Sequence, residues 1–159
     1  MPTTRQKDAC DLLDADHKAV KKLFSEYEEL TEARGNTREK KHRLAERICR
    51  ELRVHTQIEE EIFYPAIRKA IDDELLMDEA EVEHTSARDL IAQIQGMEPG
   101  DAIYDAKVLV LGEYVDHHVK EERTEMFPKA RASKVDLVKM RDMLQSRKEE
   151  LMAELDETA

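Results

Sequence analysis

The chain has 159 residues, enough for one domain with a sizeable core. Charged residues make up 40% and aromatic residues 4%, with four glycines, four prolines and no tryptophan, which reads as nearly all helix. The net charge of −11 argues against a nucleic-acid binder or a membrane-surface protein.

Five helices are predicted, in chain order. The first runs from about Lys7 to Ala33 and stops at Arg34-Gly35-Asn36. Thr37 is expected to cap the second, which continues to about Ile71 with a bend near Pro65. The third spans about Glu74 to Gln95 and ends at the loop Gly96-Met-Glu-Pro-Gly-Asp101. The fourth reaches about Arg131, again with a proline near its end. Ser133, with Asp136 three residues on, resembles a capping box for the fifth. No segment approaches ~18 uninterrupted apolar residues and the N-terminus lacks an apolar leader core, so a cytoplasmic protein without a membrane partner is expected. Cys10 and Cys49 have no paired spacing and are expected as reduced thiols.

Two copies of one phrase stand out. His55-Thr-Gln-Ile-Glu59 ends in Phe-Tyr-Pro65, and His118-Val-Lys-Glu-Glu122 ends in Met-Phe-Pro128. On a helix, residues four apart share a face, so each phrase aims an imidazole and a carboxylate at one point. The first and third helices repeat as well: Asp16-His17 through Leu23 parallels Glu83-His84 through Leu90. Two similar helical hairpins related by an approximate two-fold axis therefore make an all-α, up-down-up-down four-helix bundle with an additional C-terminal helix. Residues 1–132 are read as the metal-binding bundle. Residues 133–159 are read as a helix packing on the bundle or on an oligomer partner, giving a monomer or a dimer through that helix.

Each of these residues replaces an apolar one on a core-facing stripe. The stripes read Leu13, His17, Val20, Phe24, Tyr27; then Ile48, Leu52, His55, Glu59, Ile62, Ala66; then Met77, Ala80, His84, Ala87, Ile91, Ile94; then Val108, Leu111, Val115, His118, Glu122, Met126. No Lys or Arg lies on the stripes to pair with the two glutamates, and burying unpaired carboxylates costs several kcal/mol. A cationic metal is the simplest compensation. His17, His55, Glu59, His84, His118 and Glu122 are too many donors for one tetrahedral zinc and suit two metals bridged by carboxylates. Iron fits imidazole and carboxylate in an open site better than manganese or zinc. The carboxylate-rich di-iron scheme with Glu-x-x-His motifs is absent at the required positions. His117 lies on the flank of the stripe and His42 in a charged run. Tyr27 and Tyr114 read as core aromatics, and Glu60, Glu61, Glu121 and Glu125 as surface charge.

Taken together, His17, His55-x-x-x-Glu59, His84, His118-x-x-x-Glu122 and the two aromatic-Pro endings resemble the hemerythrin-like family, the HHE cation-binding domain, over about residues 9 to 131. The resemblance implies a bundle holding two Fe ions in an oxo- or hydroxo-bridged di-iron centre, with Glu59 and Glu122 as bridges. His17 and His55 would serve one iron and His84 and His118 the other. It further implies a protein that binds or reacts with a small oxidant: dioxygen, hydrogen peroxide or nitric oxide. The alternatives are a non-enzymatic iron- or oxygen-sensing module and a metal-free helical interaction protein. The oxygen-carrying members have a second histidine on the third helix, where this chain has Ala80 and Arg88 at the matching spacing. That departure counts against reversible oxygen carriage.

Overall fold

The structure is a computed structural model that describes residues 5 to 158. Its elements are α1 (Ala9–Glu32), α2 (Arg38–Ile58), the π-helical turn π1 (Glu59–Phe63), α3 (Tyr64–Ala70), α4 (Glu74–Gln95), α5 (Tyr104–Glu121), the π-helical turn π2 (Glu122–Met126), α6 (Phe127–Ala132) and α7 (Leu137–Thr158). The segments α2–π1–α3 and α5–π2–α6 are each one continuous rod, so there are five helical rods. The first four pack in a closed ring, α1 on α2, α2 on α4, α4 on α5 and α5 on α1. This is the up-down-up-down bundle. α7 lies outside it, against α1, α2 and π1. None of the helices among the described residues is long and apolar enough to cross a membrane.

The ends of the rods follow local side-chain chemistry. Asp8 and Asp11 form a reciprocal capping box at the start of α1. After α1, Gly35 takes φ +88, which a residue without Cβ adopts at no steric cost. Thr37 occupies the expected cap position of α2, but its side chain makes no capping bond. Asn36 Oδ1 accepts from Arg38 N at 3.1 Å in its place. Asp73 Oδ1 caps α4 by accepting from Leu76 N at 3.2 Å. The expected Ser133 box does not form. Ser133 Oγ donates to Ala130 O at 2.6 Å, closing α6. Asp136 Oδ1 accepts from Lys139 N at 3.0 Å, so the last helix starts three to four residues later than the Ser133 reading gives.

A bend was expected near Pro65; the structure widens the helix into a π turn just before Pro65 and again just before Pro128. A proline lacks the N–H for the bond to residue i−4 and its ring crowds that carbonyl. Each rod meets this with a π turn: Tyr64 N–H donates to the Glu59 carbonyl and Phe127 N–H to the Glu122 carbonyl. The extra residue shifts the buried stripe. Phe63, Tyr64 and Ile67 are buried, whereas the expected Ile62 and Ala66 are only partly so.

The core has two apolar clusters. One gathers Leu13, Phe63, Ile67, Met77, Met126 and Phe127 with Leu137, Met140, Leu144 and Leu151 of α7. The other gathers Val20, Tyr27, Ile48, Leu52, Ile91, Val108 and Leu111. The six histidines and glutamates of the stripes belong to neither and occupy the level between them.

Candidate metal centre

Four imidazoles and two carboxylates meet in that level. The Nε2 atoms of His17 and His55 lie 3.1 Å apart, and those of His84 and His118 3.2 Å apart. Each glutamate touches both pairs. Glu59 Oε1 is 3.1 Å from His55 Nε2 and 3.3 Å from His84 Nε2. Glu122 Oε1 is 3.2 Å from His17 Nε2 and 3.3 Å from His118 Nε2. Both glutamates are fully buried, and no Lys or Arg pairs with either among the described residues. His118 faces the cluster, while the neighbouring His117 side chain is 71% exposed. His42 stands on the surface beside Glu46.

The outward nitrogen of every imidazole looks at a carboxylate. His55 Nδ1 donates to Asp16 at 3.0 Å, and His118 Nδ1 faces Glu83 at 3.3 Å. His17 Nδ1 is 3.5 Å from Asp14 and His84 Nδ1 is 3.7 Å from Glu60. A carboxylate can only accept, so at His55 and His118 it favours a proton on Nδ1 and an inward Nε2, the tautomer a metal needs, while His17 Nδ1 and His84 Nδ1 face their carboxylates without a hydrogen bond. Asp16 and Glu83 are the residues just before His17 and His84, yet each serves the histidine of the neighbouring helix. The Asp/Glu–His repeat was visible in the sequence; this crossed partnership was not. Glu60, expected as surface charge, is one of these partners. Glu61 instead pairs with Arg147 of α7.

The electrostatics favour a cation at the centre. For His55, burial works against charge, but the Glu59 carboxylate and the bond to Asp16 outweigh it and push the pKa up to about 10. His118 is raised in the same way, with burial opposed by Glu122 and Glu83. Glu122 is held low: burial acts to raise it, and His118 overrides that effect. Glu59 Oε1, Glu59 Oε2 and Glu122 Oε1 nevertheless remain buried without a hydrogen bond of normal geometry. Buried acceptors are rarely left so, and a bound cation satisfies them. The donor set therefore fits a metal, divided into His17, His55, Glu59 and Glu122 on one side and Glu59, His84 and His118 on the other.

Tyr64 is a further donor in the level that the stripe pattern did not single out. Its hydroxyl is 3.1 Å from His84 Nε2 and 3.0 Å from His118 Nε2, and it donates to Glu122 Oε2 at 3.2 Å. Tyr27 instead donates to Asp105 at 2.7 Å, and Tyr114 stands half exposed at the bundle surface. The matching position on the other side is Phe127, stacked on His17 with ring centroids 6.2 Å apart. Ala80 is buried and brings no ligand atom.

A cavity of about 40 Å³ opens beside the imidazoles, its remaining wall including Val20, Leu52, Ala87, Ile91 and Val115. At roughly 10–15 Å³ for one water-sized probe, it admits a molecule of a few atoms and no larger organic substrate.

Comparison with known proteins follows this geometry. The family model described as Hemerythrin HHE cation binding domain matches residues 8–130. The chain is 28% identical over 120 residues to a DNA nickase of Nostoc sp., an alignment covering 74% of this chain and 32% of that protein. It thus spans about a third of the length of that curated relative. A crystal structure of a hemerythrin HHE cation binding domain-containing protein from Mycobacterium kansasii superposes with a TM-score of 0.76 at 23% identity, covering 93% of this chain and 89% of that one. That likeness is one of fold.

Proposed function

Because the chain belongs to the hemerythrin HHE cation-binding domain family, a metal-binding helical domain, we propose that it is a non-haem di-iron protein reacting with a small oxidant: dioxygen, hydrogen peroxide or nitric oxide. His17 and His55 would hold one iron and His84 and His118 the other, with Glu59 and Glu122, each in reach of both histidine pairs, completing the donor set. The Tyr64 phenol is an oxygen donor on the His84–His118 side, where Ala80 supplies nothing. Iron bound there supplies a change of oxidation state and a Lewis-acidic position for an incoming molecule.

The observation that carries this reading is the small, apolar-walled cavity ending on the imidazole level. Val20, Leu52, Ile91 and Val115 exclude bulk water and limit the substrate to a few atoms. Asp14, Asp16, Glu60 and Glu83 face the imidazoles on the Nδ1 side and orient them with Nε2 inward. Tyr64 O–H, already donating to Glu122 Oε2, holds a proton at the edge of the centre. The net charge of −11 offers no electrostatic path to DNA, so the nickase activity of the relative forms no part of the proposal.

A second reading, an iron- or oxygen-responsive module, has one observation in its favour. Asp16 bonds both His55 and Lys148, so α7 is linked through one carboxylate to a histidine of the centre.

The test is iron quantification and a visible spectrum of aerobically purified protein, followed by stopped-flow mixing of the reduced protein with oxygen, peroxide or nitric oxide. Two irons per chain and irreversible consumption of the oxidant are expected. One tightly held zinc, or no metal, overturns the di-iron assignment, and oxygen released intact under vacuum restores the carrier. A response confined to α7, with no turnover, favours the module.

A further inference from the structure

Three of the four carboxylates behind the histidines are neutralised by a basic side chain: Asp14 by Arg123, Asp16 by Lys148 and Glu60 by Arg88. Glu83 has no Lys or Arg partner among the described residues. Its neighbours are His117, with Nε2 3.8 Å away, and Glu121. One ligand atom from each of Glu83, His117 and Glu121 falls within 4.8 Å of the others. His117 and Glu121 are four apart on α5 and share a face, and Glu83 reaches them from α4.

The internal repeat sets apolar residues of one half against polar residues of the other around Glu83, whose own counterpart is the acidic Asp16. Setting His17 on His84 and His55 on His118 places Leu12 opposite Glu79, Val54 opposite His117 and Ile58 opposite Glu121. In the α1–α2 half, Leu12, Val54 and Ile58 are buried in the cluster that includes the α7 leucines. In the α4–α5 half no helix among the described residues covers the site, and a groove of about 590 Å³ runs over Glu79, Glu83, His117 and Glu121. Glu83 and Tyr114 line both this groove and the inner cavity, so they are the wall between solvent and the centre.

We propose that Glu83, His117 and Glu121 form an outer divalent-cation site, at which metal is taken from solvent before it passes to the inner cluster. One imidazole and two carboxylates suit a ferrous ion or a similar divalent cation. A cation here supplies the positive charge that Arg123, Lys148 and Arg88 supply at the other three carboxylates. Glu83 also touches His118, so the outer ion lies one side chain from the His84–His118 pair. The delivery step rests on the di-iron reading; the outer site does not.

The experiment titrates the metal-free full chain with ferrous iron under anaerobic conditions, reading stoichiometry by calorimetry and loading rate by stopped-flow absorbance. His117→Ala with Glu121→Gln changes one exposed and one partly buried position outside the inner cluster, and circular dichroism checks the fold. The wild type is expected to take a third, weaker ion. The double variant loses that ion, still fills the inner positions, and fills them about tenfold more slowly, the low end of what a charged cleft adds to an on-rate. Equal stoichiometry and equal rates in the two proteins would overturn the proposal. A wild-type chain holding one ion that His117→Ala removes would support the outer site while overturning the di-iron reading.

Discussion

The α1–α2 and α4–α5 halves present matching imidazoles to the centre and back them with matching carboxylates, Asp16 and Glu83, but differ in what surrounds these. In the first half, Phe127 reaches over from α6 to stack on His17, and Asp16 is sealed under Lys148 of α7. In the second, Tyr64 reaches over from α3 to both histidines, and Glu83 is open to a groove. Repetition thus fixes where the histidines and glutamates stand, and the residues around them decide which side is closed and which borders a groove. An asymmetric centre in a nearly symmetric scaffold needs only a few such replacements.

Removing what the halves share should have the largest effect. Glu59→Ala or Glu122→Ala deletes a carboxylate that touches both histidine pairs and leaves imidazoles uncompensated. A loss of bound metal is expected, together with about 3 kcal/mol or more of stability. At this chain length that is roughly 10 °C in Tm. Elemental analysis and calorimetric melting check it, and full iron with an unchanged Tm would remove both glutamates from the ligand set.

Removing what distinguishes the halves should cost less. Tyr64→Phe makes the second half resemble the first and forfeits one hydrogen bond, about 1 kcal/mol. Iron content is expected to persist while the visible spectrum and the rate of peroxide or nitric oxide reaction change. A spectrum identical to wild type would mean that the phenol stays off the metal. Lys148→Ala opens Asp16 much as Glu83 is open; at a partly exposed pair the cost is about 0.5 kcal/mol or less. Faster iron release to a chelator is expected, and an unchanged rate would show that the α7 tie does not guard this side.

The smallest effect concerns the thiols, both in the first half, where the second has Met77 and Gly112. Burial, reinforced by Asp8, pushes Cys10 up to about 12, and burial pushes Cys49 up to about 11. The folded chain keeps these protons while an unfolded thiol releases them near its ordinary value of 9.0. Their contribution to stability is therefore full below that value and declines as pH rises through it toward 11 to 12. Slow alkylation at pH near 8 is expected, with an alkaline fall in Tm that Cys10→Ala and Cys49→Ala lessen.

The donors were legible in the sequence because six polar residues interrupt otherwise apolar stripes at helical spacing. The bundle followed from the same periodicity, and the break after α1 from Gly35. Tyr64 was not legible. At 3.6 residues per turn it lies about 140° around the helix from Glu59, and only the π turn brings it to the same face. The outer carboxylates were hidden for another reason: Asp16 and Glu83 act across helices, which no single-helix stripe reveals. Ser133 and Asp136 both suit a helix start, and the competition was decided by Ser133 bonding backward to Ala130.

Each π turn amounts to a one-residue insertion in an α-helix, placed just before a proline that keeps the helix from closing back to its regular pitch. Its consequence is one of reading frame. Deleting a single residue between Glu59 and Tyr64, or between Glu122 and Phe127, would place the aromatic residue four after the glutamate, where a regular α turn already keeps it on the same face. Closing the turn to α pitch at full length would instead rotate everything downstream by about 100°, swinging the aromatic side chain off the imidazoles and Ile67 or Ala130 out of the core. The extra residue and the proline after it therefore form one device: the first is harmless only while the second keeps the turn wide.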